Sequence, residues 1–196
     1  MNYVIGLTGG IASGKSTASD YIISKGYPVL DADTYAKKAT AKDGPAYQGI
    51  IDHFGADLLQ DDGEIDRRKL GAIVFNDTEE REVLNQLVHP EVRRMMDEDK
   101  KRLTESGHVF LDIPLLFENG LDRQCDLTLT IYVDQKTQIE RLMERNGFSH
   151  SEALSRINSQ MPLSEKRDRS TEVLDNRGSK DTLYDQIEDF LARIEK

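Results

Sequence analysis

Residues 9–17 read GGIASGKST and match the pattern G-x-x-x-x-G-K-[ST], a glycine-rich loop that wraps around phosphate groups. Residues 3–7 have the apolar character of a short buried strand, and residues 15–25 predict a helix that ends at Gly26. Backbone N–H groups of small residues can turn toward phosphate oxygens, and a helix N-terminus attracts negative charge. The stretch therefore predicts a nucleotide-binding strand–loop–helix unit. The alternative is an ordinary glycine-rich turn followed by a lysine.

Two side chains of this loop have the chemistry that nucleotide binding needs. Lys15 can reach the β- and γ-phosphates, and the Ser16 hydroxyl can hold Mg²⁺. We therefore expect the nucleotide to contact a continuous set of residues: Gly10, Ile11, Ala12, Ser13, Gly14, Lys15, Ser16 and Thr17.

Composition narrows the class of partner. The net charge is −10, which argues against nucleic acid as the main partner because phosphate backbones attract clustered positive charge. No apolar run approaches the roughly 18 residues of a membrane span, and the N-terminus shows no export signal. Cys125 is the only cysteine, so no internal disulfide is possible and a reducing cytoplasm is expected.

Strand-like and helix-like segments alternate along the chain, which is typical of an α/β fold with a parallel sheet flanked by helices. The helix after the fourth strand should be capped by Asp134 and ended by Gly147, and Ser149 with Glu152 has capping-box spacing. Five strands are expected, at residues 3–7, 27–31, 109–112, 127–133 and 173–174.

Two helix-rich stretches interrupt this frame. The first is expected to contain separate helices at residues 45–54, 67–75, 78–87 and 90–105. We predict a single domain with its core at about 1–34, 106–140 and 171–196, an acceptor lobe at about 35–105 and a short lid at about 141–170.

The loop alone is compatible with GTPases, motor ATPases and small-molecule kinases. A GTPase should contain Asn-Lys-x-Asp and an Asp-x-x-Gly after a strand, but the former is missing and residues 112–115 read Asp-Ile-Pro-Leu. A motor ATPase usually ends its acidic strand in an acidic pair, whereas here Asp112 stands alone. Small size, an inserted lobe and a late arginine-rich segment favour a kinase, with the late segment closing over the nucleotide to exclude water.

The chain resembles the dephospho-CoA kinase family in motifs that run nearly from end to end. They are GLTGGIASGKST at 6–17, DAD at 31–33, GEIDR at 63–67, HP at 89–90, DIPLLFE at 112–118, Gln138, Arg141, Arg145, Gln160 and DN at 175–176. The resemblance implies a P-loop NTPase fold, ATP as phosphoryl donor, Mg²⁺ as cofactor and the ribose 3′-hydroxyl of dephospho-CoA as acceptor, in the last step of coenzyme A synthesis. We expect a monomer or a weak homo-oligomer. Residues 169–171 read Arg-Ser-Thr where the family pattern leads us to expect Ala-Asp, on the side expected to hold adenine.

Carboxylates at strand ends are candidates for the chemistry. Asp33 follows the second strand, where parallel sheets place ligands, and can orient or accept the proton of an attacking hydroxyl. Its alternative role is the N-cap of a helix starting at Thr34, although the resemblance favours catalysis. Asp112 can bind Mg²⁺ or the substrate, or can cap a backbone turn, and Asp31 has a similar ambiguity.

Arginines and other substrate contacts complete the expected site. Arg141 and Arg145 share a helical face and can clamp the transferring phosphoryl group, with Arg141 the stronger catalytic candidate. Alternatively they form a solvated face paired with Glu140 or Glu144. For the acceptor we expect contacts from Arg67, His89 and Leu115 besides Asp33 and Asp112. Arg67 could instead pair with Asp66 or Glu64, and His89 could cap or pack at a helix start.

Overall fold

The computed structural model describes residues 1–196 and contains one five-stranded sheet. The strands lie in the order β2-β3-β1-β4-β5, and β1 pairs in parallel with both β3 and β4, as β4 does with β5. The predicted α/β fold with a five-stranded parallel sheet is therefore confirmed. The strands are β1 (Val4–Gly9), β2 (Val29–Asp31), β3 (Val109–Asp112), β4 (Leu127–Tyr132) and β5 (Glu172–Asp175).

Nine α-helices and two short 3₁₀ turns, Ala56–Leu58 and Leu121–Gln124, connect these strands. None of the helices is long and apolar enough to cross a membrane. The helices are α1 (Lys15–Ser24), α2 (Ala32–Thr40), α3 (Tyr47–Phe54), α4 (Arg67–Asn76), α5 (Thr78–Thr104), α6 (Gln135–Asn146), α7 (His150–Ile157), α8 (Leu163–Arg169) and α9 (Lys180–Ile194).

The chain divides into two compact units, and the larger one comprises Met1–Val29 with Leu103–Lys196. Its sheet is contacted by α1, α8 and α9, and the residues of β1 and β3 are buried almost without interruption, as is typical of parallel strands. The central core of this unit consists of Ile5, Leu7, Ala18, Ile22, Phe110, Leu129, Ile131, Leu174, Leu183, Ile187, Phe190 and Leu191. This packing fixes the carboxyl end of β1, where the glycine-rich loop begins.

The smaller unit, Leu30–Arg102, is mainly helical. Tyr35 of α2 is buried, and its hydroxyl donates to Asp99 of α5 at 2.6 Å. Burial and this contact raise the pKa of the Tyr35 hydroxyl, while the hydrogen bonds from Tyr35 and Arg102 lower the pKa of the Asp99 carboxyl. A polar pair therefore joins α2 to α5 inside this unit.

The prediction of separate helices at residues 78–87 and 90–105 was wrong, because α5 continues through Pro90. Proline lacks an N–H group, so the carbonyl of Gln86 loses its usual helical donor. Val88 and Val92 are nevertheless both buried, four residues apart on one face, and their packing holds the helix on either side of the proline. His89 therefore lies inside a helix and not at the start of one.

The predicted caps of α6 and α7 are confirmed. Asp134 accepts a hydrogen bond from the Thr137 N–H at 2.7 Å, and Gly147 ends α6 in the left-handed conformation. Ser149 and Glu152 form the reciprocal capping box of α7. A small apolar cluster of Leu142, Ala153 and Ile157 then holds α6 against α7, with Ile11 and Ala12 of the glycine-rich loop packed on it.

Replacing the α6 cap should destabilise the protein without unfolding it. Asp134→Ala removes the acceptor for Thr137 and should lower the free energy of unfolding by about 1 kcal/mol, which urea denaturation followed by circular dichroism can measure. Asp134→Asn keeps a capping oxygen and should stay within a few tenths of a kcal/mol of the wild type. Equal losses in the two variants would contradict a capping role.

The same cap predicts a pH dependence. The Thr137 N–H holds the pKa of the Asp134 carboxyl below its usual value. The stability from its charge is therefore complete above the unfolded-state pKa of about 3.9 and is lost as pH falls through the folded-state pKa. Any advantage of the wild type over Asp134→Asn should disappear in urea titrations repeated across that range.

Candidate active site

The glycine-rich loop between β1 and α1 forms a tight, internally bonded turn. The Ser13 N–H donates to the Gly10 carbonyl at 3.1 Å, and the Ala18 N–H donates to the Gly14 carbonyl at 3.2 Å. Gly14 has φ of 87°, which side chains other than glycine avoid, and Ala12 also has a positive φ of 59°. Successive turns of this kind bring backbone N–H groups together into a concavity that binds anions.

Lys15 and Asp112 are brought into direct contact. Parallel pairing of Leu7 with Asp112 places the end of β3 beside the end of β1, and the Lys15 ammonium forms a hydrogen-bonded ion pair with the Asp112 carboxylate. Asp112 is 9% exposed, so the lysine compensates a largely buried negative charge. The structure therefore gives Asp112 an ionic partner from the loop rather than a backbone turn to cap.

A cavity of about 460 Å³ lies beside the loop, within the volume range of small-molecule sites. Ala12, Gly14 and Thr17 form its loop side. The remaining lining residues come from α6 and from the segment after β5: Arg141, Glu144, Arg145, Asn176, Gly178 and Lys180. Three cationic side chains against one carboxylate make the cavity suited to a polyanion, although the chain as a whole is acidic.

The two arginines of α6 do not form the solvated ion pairs considered as their alternative. Arg141 donates through Nη2 to the backbone carbonyl of Asn176 at 2.7 Å, and Arg145 donates to the Asn146 side chain at 2.8 Å. Glu140 instead lies 3.8 Å from Lys136. Since a guanidinium has five N–H donors, Arg141 keeps donors for a ligand while it is anchored.

The segment at 169–171, expected on the side that holds adenine, packs against β4. The Ser170 hydroxyl contacts the Thr130 hydroxyl, and Thr171 exchanges hydrogen bonds with Thr128, including Thr171 N–H to Thr128 Oγ1 at 2.9 Å. These contacts join the start of β5 to β4. These three residues do not line the cavity beside the loop, and their position near adenine stays a prediction.

Lys166 of α8 is a site residue that sequence reasoning missed. It is completely buried, and its ammonium donates to the Pro114 carbonyl at 2.7 Å and to the Gly9 carbonyl at 3.2 Å. It also pairs with Glu118 at 2.9 Å. No local signal marks it, because a lysine in a charged segment usually remains solvated. Lys166 thus ties the first residue of the loop to the segment after β3, where Leu115 remains 38% exposed.

In the smaller unit, the structure shows which aspartate at the end of β2 caps the following helix. Asp31 is the N-cap of α2 and accepts a hydrogen bond from the Thr34 N–H at 3.0 Å. Asp33 lies in the first turn of α2 and is exposed. The capping role considered for Asp33 therefore belongs to Asp31.

The other two acceptor candidates also belong to the smaller unit. Arg67 begins α4 and contacts the Lys37 carbonyl at 3.4 Å and the Thr40 hydroxyl at 3.3 Å, while Asp66 caps that helix. Arg67 therefore does not form the suggested pairs with Asp66 or Glu64. His89 is exposed within α5, which removes both capping and packing as its role.

The two candidate ligands for Mg²⁺ have suitable chemistry. Ser16 is exposed at the start of α1 and Asp112 ends β3, and hydroxyl and carboxylate oxygens are ligands that Mg²⁺ accepts. No group of three or more His, Cys, Asp and Glu side chains could hold a metal ion. Mg²⁺ commonly takes one or two protein ligands together with substrate phosphates and waters, and this donor set is compatible with that mode.

Removing the buried lysine should be costly for stability. Lys166→Met leaves the Glu118 carboxylate without its cation, and loss of one partner of a buried pair should cost about 3 kcal/mol. Chemical denaturation measures the loss, with Lys136→Met as a control that removes an exposed lysine from a 3.8 Å pair. Lys166→Met/Glu118→Gln should recover part of the loss, and additive losses would show that the two charges are not coupled.

Comparison with known proteins was made on sequence and on structure. A family model described as dephospho-CoA kinase matches residues 3–182. A dephospho-CoA kinase from Geobacillus kaustophilus is 51% identical over 189 residues, covering 95% of this chain and 94% of that protein.

Solved structures agree with this result. The dephospho-CoA kinase from Campylobacter jejuni has a TM-score of 0.75 at 29% identity, covering 97% of this chain and 96% of that one. A shikimate kinase from Bacteroides thetaiotaomicron, 14% identical with a TM-score of 0.53 over 98% of each chain, shares the fold alone. Because the family model covers most of the chain and a relative is half identical along nearly its whole length, the chain belongs to the dephospho-CoA kinase family.

Proposed function

We propose that this protein transfers the γ-phosphoryl group of ATP to the ribose 3′-hydroxyl of dephospho-CoA, giving coenzyme A and ADP in the last step of coenzyme A synthesis. The observation that carries the proposal is the cationic cavity beside the glycine-rich loop, in a chain of this family. We also propose that the enzyme acts in the cytoplasm, which the single cysteine supports because disulfides are rare there. We propose that it is a monomer or a weak homo-oligomer.

Phosphoryl transfer is catalysed mainly by positioning and by electrostatic stabilisation, and the loop unit supplies both. In this proposal the N–H groups of residues 10–17 and the Lys15 ammonium bind the ATP phosphates, and Arg141 stabilises charge on the transferring group. Phosphate oxygens compete with Asp112 for Lys15, which leaves the Asp112 carboxylate available to a second ligand. Mg²⁺, held by Ser16 and Asp112, would neutralise charge on the phosphate oxygens.

Asp33 is proposed as the group that orients the acceptor hydroxyl and takes its proton. Support comes from its exposure and from the fact that Asp31 performs the capping of α2. Proton transfer by a positioned carboxylate typically contributes 10²–10⁴-fold to the rate. Arg67, His89 and Leu115 are proposed to bind the acceptor, for which all three have exposed surface, and residues 141–170 to exclude water during transfer.

The choice of acceptor gives the most direct test. A coupled assay of ATP consumption with dephospho-CoA, AMP, CMP, UMP, adenosine and pantothenate should show a kcat/KM higher by orders of magnitude for dephospho-CoA. The physical reason is that the long arm of this substrate supplies binding energy that orients the 3′-hydroxyl. Turnover of AMP or CMP comparable to that of dephospho-CoA would contradict the proposal and indicate a nucleotide kinase.

The assay requires an inactive but folded control. Lys15→Ala removes the cation that contacts phosphate and should abolish turnover. Circular dichroism under native conditions should remain near that of the wild type, while the free energy of unfolding falls because Asp112 loses its cation. An active Lys15→Ala enzyme would mean that residues 9–17 are not the phosphate site.

The roles of Asp31 and Asp33 can be distinguished by isosteric replacement. Asn cannot take a proton, so Asp33→Asn should lower kcat by about 10²-fold or more and leave ATP binding and stability near those of the wild type. Asp31→Asn keeps an oxygen that can cap α2 and should lose much less activity. Single-turnover rates measured alongside ATP binding decide between them, and the reverse ranking would move the proton-transfer role to Asp31.

A further inference from the structure

Two side-chain carboxamides contact the glycine-rich loop from elements far away in sequence. Gln138 of α6 donates through Nε2 to the Ile11 carbonyl at 2.8 Å. Asn176, directly after β5, donates through Nδ2 to the Ser13 carbonyl, also at 2.8 Å. Both side chains are buried, at 3% and 6% exposure, so neither amide is a casual surface contact. Each carbonyl is thereby held by a donor from outside the loop.

Two glycines of the loop leave the space that these amides occupy. A Cβ atom built on Gly10 would lie 2.7 Å from Gln138 Nε2, and one built on Gly14 would lie 2.1 Å from Asn176 Nδ2. Gly14 also has a positive φ, whereas Gly10 does not. The requirement for glycine at position 10 is therefore one of space against the Gln138 amide rather than of backbone conformation.

Both carboxamides are themselves fixed by rigid neighbours. Gln138 lies in the first turns of α6, where its N–H donates to the Asp134 carbonyl at 3.0 Å. The Asn176 N–H donates to the Tyr132 carbonyl at 2.8 Å, and the Asn176 carbonyl accepts from Arg141. The amide positions are therefore set by the ends of β4 and β5 and by the start of α6.

The peptide group relates these contacts to phosphate binding. In a trans peptide the C=O and the following N–H point in opposite directions. When Gln138 holds the Ile11 carbonyl, the N–H of Ala12 is directed away from Gln138, and when Asn176 holds the Ser13 carbonyl, the N–H of Gly14 is directed away from Asn176. Ala12 and Gly14 both line the cavity.

We propose that Gln138 and Asn176 are positioning residues that fix the peptide groups of the loop in the orientation that receives phosphate. Without them the two peptide groups can rotate, and part of the binding energy of ATP must be used to order the loop. The proposal rests on the assignment of residues 9–17 to the ATP phosphates, and extends it to two side chains that touch no reacting atom.

The probe for this role is tripolyphosphate, which can occupy a phosphate loop without adenine or acceptor. Gln138→Ala and Asn176→Leu should each weaken tripolyphosphate binding by about tenfold, which corresponds to the net contribution of one hydrogen bond. Calorimetry measures this binding. The KM for ATP should rise in parallel, while the KM for dephospho-CoA stays within about twofold. If Gln138→Ala is poorly folded, Gln138→Met takes its place, because methionine fills the volume without supplying a donor. It should weaken tripolyphosphate binding to the same extent. Asn2→Leu, which removes a 2.8 Å carboxamide bond to the Thr104 carbonyl, is the matched control and should change neither constant.

Gly10 allows a sharper test by a double-mutant cycle. Gly10→Ala in the wild type should displace Gln138 and weaken tripolyphosphate binding as much as Gln138→Ala does. In the Gln138→Ala background the methyl group has room, so Gly10→Ala should add no further loss. Additive losses, or unchanged tripolyphosphate affinity in the single variants, would overturn the positioning role. A wild-type enzyme that fails to bind tripolyphosphate would instead overturn the assignment of the loop to phosphate.

Discussion

A chain segment that binds an anion through its N–H groups must have its carbonyl oxygens satisfied by other donors, because buried unpaired carbonyls are costly. In this protein those donors come from three distant side chains, from the loop itself and from α1. Lys166 bonds the Gly9 carbonyl, Gln138 the Ile11 carbonyl and Asn176 the Ser13 carbonyl, while the Gly10 and Gly14 carbonyls accept from within the loop and from α1. The placement of α6, α8 and the end of β5 around the loop thus supplies hydrogen-bond donors to its carbonyl oxygens.

The cations beside the loop differ in their partners from those elsewhere on this acidic protein. Many cations are paired on the surface, as Arg177 is with Asp175, whose carboxyl pKa is lowered by that contact. Beside the loop, in contrast, Arg141 donates to a backbone carbonyl and Arg145 to a neutral amide. An overall charge of −10 therefore does not prevent binding of a small polyanion. The electrostatic potential in the cavity is set by the nearest charged groups, because salt screens charges that lie more than about 10 Å away.

The parts of the fold predicted correctly from sequence were those encoded locally. The strand–loop–helix unit, the Asp134 cap and the Ser149–Glu152 capping box each depend on residues a few positions apart. Predictions failed where a tertiary contact overrides the local pattern. Pro90 reads as a helix start, but burial of Val88 and Val92 carries α5 through it. The cap considered for Asp33 assumed a helix that starts at Thr34, but α2 starts at Ala32 and Asp31 is its N-cap.

The site was harder to predict because no local pattern shows what its supporting residues contact, although Gln138 and Asn176 belong to motifs of the family resemblance. Gln138 and Asn176 lie 127 and 163 residues from the carbonyls they hold, and Lys166 lies 157 residues from Gly9. The glycine pattern at residues 9–14 looks like local backbone freedom, but at Gly10 it reflects the space needed by a side chain from α6. A loop motif of this kind is thus partly a record of tertiary packing. A fragment ending after α1 would contain the whole motif but none of the three side chains that bond the carbonyls of Gly9, Ile11 and Ser13. The motif alone therefore does not determine the conformation of the loop.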